Sequence, residues 1–492
     1  MRIYPEIEEF KRLAGKGNLV PIYTEIFADM ETPVSAFRKI EGKNAFLLES
    51  VVGGERLARY SFLGSNPSVL FSAKGNKVKL VSNGKTTLFT EKRDCLAALK
   101  KLMSGYKPVD VEGLPPFTGG AVGYLGYDMV RYFEDIPEKN KDDRNLPDAC
   151  FMITDTLVVF DHIKHTIKVV ANVLVKGDQD YCYKQGVKAI KGLVNKLKRP
   201  VKDSILLNNR PEEKECRLVS NTTKKEYEAM VEKVKEYIKA GDIFQAVVSQ
   251  RLSAKTTIDS FDIYRALRVV NPSPYMFYLK YGGFRIVGAS PEIMVKVEKG
   301  VVTERPIAGT RKRGEDDKED EKLIEELLND PKEKAEHVML VDLARNDLGR
   351  VCNYRSIVVD EMMTVEKYAF VMHIVSNVKG KLRNDRDVYD VIRSCFPAGT
   401  VSGAPKIRAM EIIEEVENVQ RGPYAGMIGY FGFNGNLDSC ITLRTMIVSK
   451  GKVYVQAGAG IVSDSNPASE YQETLNKAKA LMSAVELAKH GL

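Results

Sequence analysis

QAGAGIVSDSNPASEYQETLNKAKAL, residues 456–481, is the stretch from which this chain is best read. It predicts a short strand over 453–457, a Gly-rich turn, a break at Asn466-Pro467, and a long helix from Pro467 to about residue 490. Glu470 and Glu473 lie three apart and so share one face of that helix. Gly458, Ala459 and Gly460 are small, which lets backbone N–H groups come close to an anion. Carboxylates beside an anion-accepting turn are a poor arrangement unless a hard cation lies between them and the ligand. The stretch therefore points to Mg²⁺ and a small polyacid. It is not a dinucleotide fingerprint, because the third glycine is missing.

Outward from this segment, the totals set the class. The 492 residues suit two domains or one large composite domain. Hydrophobic content of 44% and charged content of 28% are those of a soluble globular enzyme. The net charge of +8 is spread along the chain, with Lys and Arg interleaved among Glu and Asp. No basic block of the kind that binds nucleic acid is present. Seven Cys are scattered without a CxxC pair, which indicates reduced, cytoplasmic usage and neither a disulfide framework nor a zinc site. The first 17 residues lack an apolar signal core, and no apolar run approaches the length of a membrane span.

Residues 1–200 read as short β-like runs with turn punctuation, at 44–51, 77–82, 119–127, 154–161 and 166–175. Helices are expected at 91–104 and 180–197. The polar segment 201–222 reads as a linker. A helix then begins with Thr223 as N-cap and Glu226 as its capping-box partner. Across 223–492, strands separated by two to four turn residues indicate antiparallel hairpins, among them 246–252, 276–280, 284–289, 369–379, 425–433 and 438–448. Helices are expected at 318–328, 331–345, 387–394, 405–417 and 467–490. The class is α+β: a large antiparallel β-sandwich flanked by helices, with the two regions either separate or sharing one composite fold.

Several residues invite a chemical role, and each also has a plain structural reading. Glu333 sits three residues after the cap Asp330 and can simply close a capping box. Glu336, one turn deeper, cannot cap; it opens the apolar run EHVMLVDLARNDLGRV, and a solvated helix face is its alternative. FPAGTVSGAPKIRAM, residues 396–410, is a small-residue loop feeding a helix, a possible anion cradle or only a tight turn, and not a P-loop. PIAGTRKRG, residues 306–314, sets a Gly-Thr turn beside cations. Arg444, in the β-like run ITLRT, is expected to be buried and to meet either a substrate carboxylate or a structural anion. His373 in FVMHIVSNVKG reads equally as a satisfied core histidine. None of the Cys sits in a Gly-flanked nucleophile elbow, so thiol catalysis is not expected.

Taken in order, PIAGTRKRG, EHVMLVDLARNDLGRV, FVMHIVSNVKG, FPAGTVSGAPKIRAMEIIEE, GPYAGMIGYF and QAGAGIVSDSNPASEYQETLNKAKAL resemble the chorismate-utilising enzymes, and among them the large (component I) subunits of the anthranilate synthases. The resemblance covers residue 224 to the C-terminus in detail, and the N-terminal part through LLES at 47–50. It implies that Glu336 and Glu473 bind Mg²⁺, with Glu333 and Glu470 nearby or acting through water. Gly309, Thr310, Tyr424, Arg444, Gly458, Ala459, Gly460 and Lys477 would hold the carboxylates and ring of chorismate. Glu292, in ASPE, would be the general acid for the departing C4 hydroxyl, and His373 and Thr400 would assist the later elimination of pyruvate.

Two positions separate branches of the family. Water-adding relatives carry a Lys base where this chain has Gln245, and one type of aminodeoxychorismate synthase carries a nucleophilic Lys where this chain has Ala308. The resemblance thus implies direct attack of ammonia at C2 and loss of pyruvate to give anthranilate, the first step of tryptophan biosynthesis. The rival readings are an aminodeoxychorismate synthase and a non-catalytic tryptophan-binding regulator. It further implies a separate glutamine amidotransferase subunit supplying ammonia, in a heterotetramer of two large and two small subunits. Feedback inhibition by tryptophan would use Ser50, Pro274, Tyr275 and Met276, from LLES and NPSPYMF.

Overall fold

Adjacent residues on the strands point into different cores. In the strand Ala45–Glu49, Leu47 packs among helices while Phe46 packs against the opposite sheet; in Tyr275–Lys280, Tyr278 and Phe277 divide the same way. In Gly120–Leu125, Ala121 and Leu125 face helices, and Val122 and Tyr124 face the other sheet. This period of two over strands buried on both faces builds four layers, helices–sheet–sheet–helices. The computed structural model describes residues 1–27, 29–51, 59–201, 218–367 and 371–490. Of the linker expected at 201–222, residues 202–217 lie outside that description, as does Cys216.

Each sheet has twelve strands and draws on both parts of the chain. In the first, Ala45–Glu49 from the N-terminal region pairs antiparallel with Tyr275–Lys280, placing Glu49 opposite Met276. In the second, Gly120–Leu125 pairs antiparallel with Met427–Gly432. The regions therefore share one composite β-sandwich, the second of the two architectures left open by the sequence. The helices Lys224–Ala240, Ser260–Val270 and Pro467–His490 belong to the first sheet's side, and Pro331–Gly349 and Val388–Cys395 to the second's. The capping box of Thr223 and Glu226 forms as expected.

Two expectations fail for stated reasons. The segment 458–460 is not a turn: the strand Lys452–Ile461 runs through it, with Gly458 opposite Ser249 and Gly460 opposite Val247. The glycines are there because a Cβ on Gly458 would come 2.9 Å from the Tyr424 hydroxyl, and one on Gly460 2.5 Å from Gln245 Nε2. The run 438–448 is not one strand. Leu437–Ile441 belongs to the second sheet and Thr445–Ser449 to the first, and the chain crosses between them at Thr442–Arg444 with Arg444 at φ +46°.

A buried ion pair ties the segment 417–421 to the first sheet and to the loop at Val401. Arg421, 2% exposed, donates to Glu417 through Nε at 3.0 Å and Nη2 at 2.6 Å. It also donates to the carbonyls of Val401 at 2.8 Å and Val247 at 2.6 Å. Glu417 in turn accepts from the backbone N and the hydroxyl of Ser249, both at 2.8 Å. Replacing Arg421 with Ala leaves Glu417 buried and uncompensated; a loss of about 3–5 kcal/mol is expected in urea unfolding.

Candidate functional site

Three groups of side chains converge where the ends of both sheets meet the helices Pro331–Gly349 and Pro467–His490. The first is acidic. Glu336 accepts from Gln245 Nε2 at 3.5 Å, and Gln245 in turn lies over Gly460. Glu473 pairs with Lys477 at 2.6 Å, and Lys477 Nζ reaches the Gly458 carbonyl at 3.0 Å. Burial first, then the negative charge of Glu333 and, more weakly, of Glu473, raises the Glu336 carboxyl above its ordinary range. Glu470 is likewise raised, chiefly by burial. Glu333 does not close a capping box. Its carboxylate turns to Arg311 Nη1 at 3.1 Å, while Arg311 also holds the cap Asp330 at 2.9 Å. Among the described residues, no three His, Cys, Asp or Glu side chains converge closely enough to form a metal site by themselves.

The second group surrounds His373. The strands Ile307–Lys312 and Val371–Lys381 pair with Thr310 opposite His373, and the register shifts at Gly309, which sits at φ +65°. His373 Nδ1 is 3.0 Å from both Thr310 Oγ1 and the Gly309 carbonyl. Donation to that carbonyl fixes the proton on Nδ1 and leaves Nε2 as an acceptor. Burial holds the imidazole below its ordinary pKa, so it is neutral at neutral pH. A Cβ on Gly309 would meet Glu333 Oε2 at 3.2 Å, which ties this group to the acidic one. Ala308 is buried on the same strand.

The third group is Glu292, Thr400 and Arg444. Burial pushes the Glu292 carboxyl up to about 8, with the Thr400 hydroxyl and the Arg444 charge opposing the rise. A carboxyl that stays protonated at neutral pH is what a general acid requires. Thr400 Oγ1 is buried against Glu292 and has no other hydrogen-bond partner among the described residues. Arg444 is not the buried strand residue expected: it is exposed in the crossing segment, and its guanidinium reaches Asn271 Oδ1 at 3.5 Å. Its left-handed backbone is an uncommon state for a residue with a Cβ, and such strain clusters at functional sites. Its charge acts on both Glu292 and His373, which places the groups in one cleft. Tyr424 is buried at the edge of this cleft beside Gly458.

A separate cluster forms where LLES meets NPSPYMF. Ser50 Oγ is buried without a partner among the described residues, and Val51 N donates to Ser273 O at 3.5 Å. The buried Glu49 accepts from the Tyr264 hydroxyl at 2.5 Å and pairs with Arg268 at 3.1 Å. Tyr275 donates to Asp438 at 3.0 Å, and Tyr275 lies opposite Ser290, two residues before Glu292. Sequence reading found Ser50, Pro274, Tyr275 and Met276 but not Glu49, Tyr264 or Arg268. It also missed Arg311, Glu304, Asp347 and Lys406; several of these lie inside the blocks quoted above, but no spacing rule marks them.

Comparison with known proteins agrees with this geometry. The sequence matches the profile of the chorismate binding enzymes over residues 43–483, and the chain belongs to that family. Within it, the similarity is to anthranilate synthase component 1: the protein of that name from Acetivibrio thermocellus is 49% identical, over 98% of each chain. The one from Aquifex aeolicus is 45% identical over 99% of each. The crystal structure of anthranilate synthase component I from Streptococcus pneumoniae superposes with a TM-score of 0.77 at 38% identity, covering 93% of this chain and 98% of that one.

With Glu292 as general acid, kcat/KM for chorismate should fall as pH rises through about 8, the carboxyl's own value, because only the protonated form donates. Glu292→Gln should remove that limb along with about 100-fold or more of the rate.

Proposed function

We propose that the chain is the chorismate-binding large subunit of an anthranilate synthase, a lyase that converts chorismate to anthranilate and pyruvate. The observation that carries the choice of nucleophile is Gln245, whose amide sits 3.5 Å from Glu336 inside the cleft. An amide has no basic atom able to deprotonate water, and Ala308 offers no nucleophile, so ammonia, already nucleophilic, is the reactant these residues suit. The rival aminodeoxychorismate synthase reading loses support at Ala308, and a water-adding reaction loses support at Gln245.

The residues divide the work as follows. Lys477, Arg444 and the small strand residues Gly458, Ala459 and Gly460 receive the substrate's carboxylates and ring, with Tyr424 closing one side. Glu292 gives its proton to the departing C4 hydroxyl. The Nε2 of neutral His373 takes a ring proton as pyruvate leaves, while Thr310 and the Gly309 carbonyl hold the imidazole; Thr400, beside Glu292, assists in the same cleft. Glu336 and Glu473, with Glu333 and Glu470 behind them, are the ligands proposed for Mg²⁺. The fit rests on Glu336: it is pressed by like charges and has no ion-pair partner among the described residues, whereas Glu333 has Arg311 and Glu473 has Lys477. Two carboxylates with positions left for water and substrate oxygens suit Mg²⁺, whose bound charge would neutralise a substrate carboxylate.

The partner proposed is a glutamine amidotransferase subunit supplying ammonia, in an assembly of two large and two small subunits. A cytoplasmic setting suits the six described cysteines, all free and buried. Tryptophan is proposed to bind at the Ser50 cluster; support comes from the orphaned Ser50 hydroxyl and from Glu49 and Arg268 as partners for an amino acid's charges.

The purified chain with chorismate, Mg²⁺ and ammonium should release fluorescent anthranilate and pyruvate; aminodeoxychorismate as the sole product would overturn the reading. Glu336→Gln and Glu473→Gln should each lower kcat by about 100-fold and raise the Mg²⁺ needed for half-maximal rate. Ser50→Phe should weaken inhibition by tryptophan at least about tenfold, a loss near 1.4 kcal/mol, with the uninhibited rate little changed.

A further inference from the structure

Behind Glu292 lies a cavity of about 30 Å³ whose walls include Glu292, Thr400, Glu304, Arg305, Asp347 and Cys395. Two polar atoms of its lining residues, Thr400 Oγ1 and Glu304 Oε1, are buried with hydrogen-bonding capacity left over among the described residues, Thr400 lying against Glu292 and the Cys395 thiol against Glu304. A space of this size holds about two waters, and water persists inside proteins where it can bond otherwise unsatisfied polar groups. The groups facing Glu304 come from every element packed on it. Asp347, on Pro331–Gly349, is held by Lys406 Nζ at 2.5 Å. Lys406, on Lys406–Val416, also donates to the Cys395 carbonyl at 3.3 Å. The thiol of Cys395 meets the Glu304 carboxyl, and the Cys352 thiol lies close enough to feel its charge. Arg305, next in sequence, is engaged by Glu366 at 2.5 Å. Among the described residues Glu304 therefore has no ion pair of its own: the nearby ammonium bonds Asp347 and reaches Glu304 only through its charge, and the nearby guanidinium bonds Glu366.

We propose that Glu304 is a relay residue that reprotonates Glu292 between turnovers, through water held between Glu304 Oε1 and Thr400 Oγ1. The inference rests on the reading of Glu292 as general acid. In that step the C4–O bond of chorismate breaks, the bonding pair leaves with oxygen, and the Glu292 proton completes a water molecule. The nitrogen of ammonia bonds to C2 as the ring double bonds shift, and then loses one proton to solvent. Glu292, now a carboxylate, takes a proton from cavity water, which takes one from Glu304. Glu304 regains one from solvent through the open side of the cavity. One proton leaves with nitrogen and one returns through Glu304, so the cycle balances. Burial and the adjacent Asp347 carboxylate hold Glu304 well above the ordinary carboxyl range, so it rests in the protonated form the relay needs.

The test is Glu304→Gln, which keeps size and hydrogen-bonding capacity but has no proton to pass on. With chorismate, Mg²⁺ and ammonium, KM for chorismate should stay within about twofold while kcat falls about tenfold and its solvent deuterium isotope effect rises. Glu304→Ala opens the same space, and added formate should restore much of its kcat. Wild-type kcat and isotope effect in Glu304→Gln would overturn the relay, as would a defect in KM or melting temperature alone. Should Glu304→Gln fold poorly, absence of formate rescue in Glu304→Ala overturns it equally. Glu292→Gln, run alongside, separates the two readings. If it retains activity, the general-acid assignment falls and the relay with it; if it is inactive while Glu304→Gln behaves as wild type, only the relay falls.

Discussion

The buried pair of Arg421 and Glu417 is the constraint on which the rest of the molecule is arranged. One guanidinium bonds a carboxylate, the carbonyl of Val247 in the first sheet and the carbonyl of Val401 in the loop that carries Thr400. Its flat face lies 4.6 Å from the ring of Tyr127, just beyond the strand Gly120–Leu125 of the second sheet. Charged groups this deep are tolerated only with every donor and acceptor engaged, so the geometry admits little slack. The consequence is a fixed relation between the sheet that presents Gly458–Gly460 and the loop that presents Thr400.

Around that fixed frame, the cleft is electrostatically unbalanced in a way suited to its ligands. Carboxylates from two helices face one another with fewer cations than charges, while Arg444 and Lys477 stand at the positions proposed for the substrate. The imbalance is one that a divalent cation and a polyanion, the ligands proposed for this cleft, would relieve together. Burial sets the protonation states: Glu292 is kept as an acid and His373 as a neutral base within the same enclosure. The cluster around Ser50, the site proposed for tryptophan, lies beside the same sheet. The hairpin Tyr275–Lys280 and Phe284–Ser290 runs from the Ser50 neighbourhood to Glu292, and Arg444 reaches back to Asn271. Both contacts connect the Ser50 cluster to the Glu292 cleft through one hairpin, the kind of connection that linked binding at the two proposed sites would need.

Much of this was legible in the chain. The cap at Asp330, the capping box of Thr223 and the bounds of the helix Pro467–His490 follow from local chemistry that the structure reproduces. The crossing at Thr442–Arg444 was not legible, because DSCITLRTMIV has no Gly or Pro to mark a break, and a β-prone run looks the same whether it stays in one sheet or passes between two. The glycines of QAGAG were misread as a turn for a related reason. Small residues signal close approach, but the sequence does not say whether the approaching group is the chain's own backbone in a turn or the side chains of Gln245 and Tyr424 against a strand.

By itself, the sequence determined the family and the class of fold, because helix caps, strand periodicity and the ordered blocks are properties of near neighbours along the chain. Only the tertiary structure decided that both regions share each sheet, that Glu333 answers to Arg311 and not to a cap, and that Glu304 looks into the cavity of Glu292. Those outcomes depend on desolvation and on contacts between residues far apart in the chain. The charge state of a buried carboxyl is set by which side chains enclose it, and that enclosure exists only after folding.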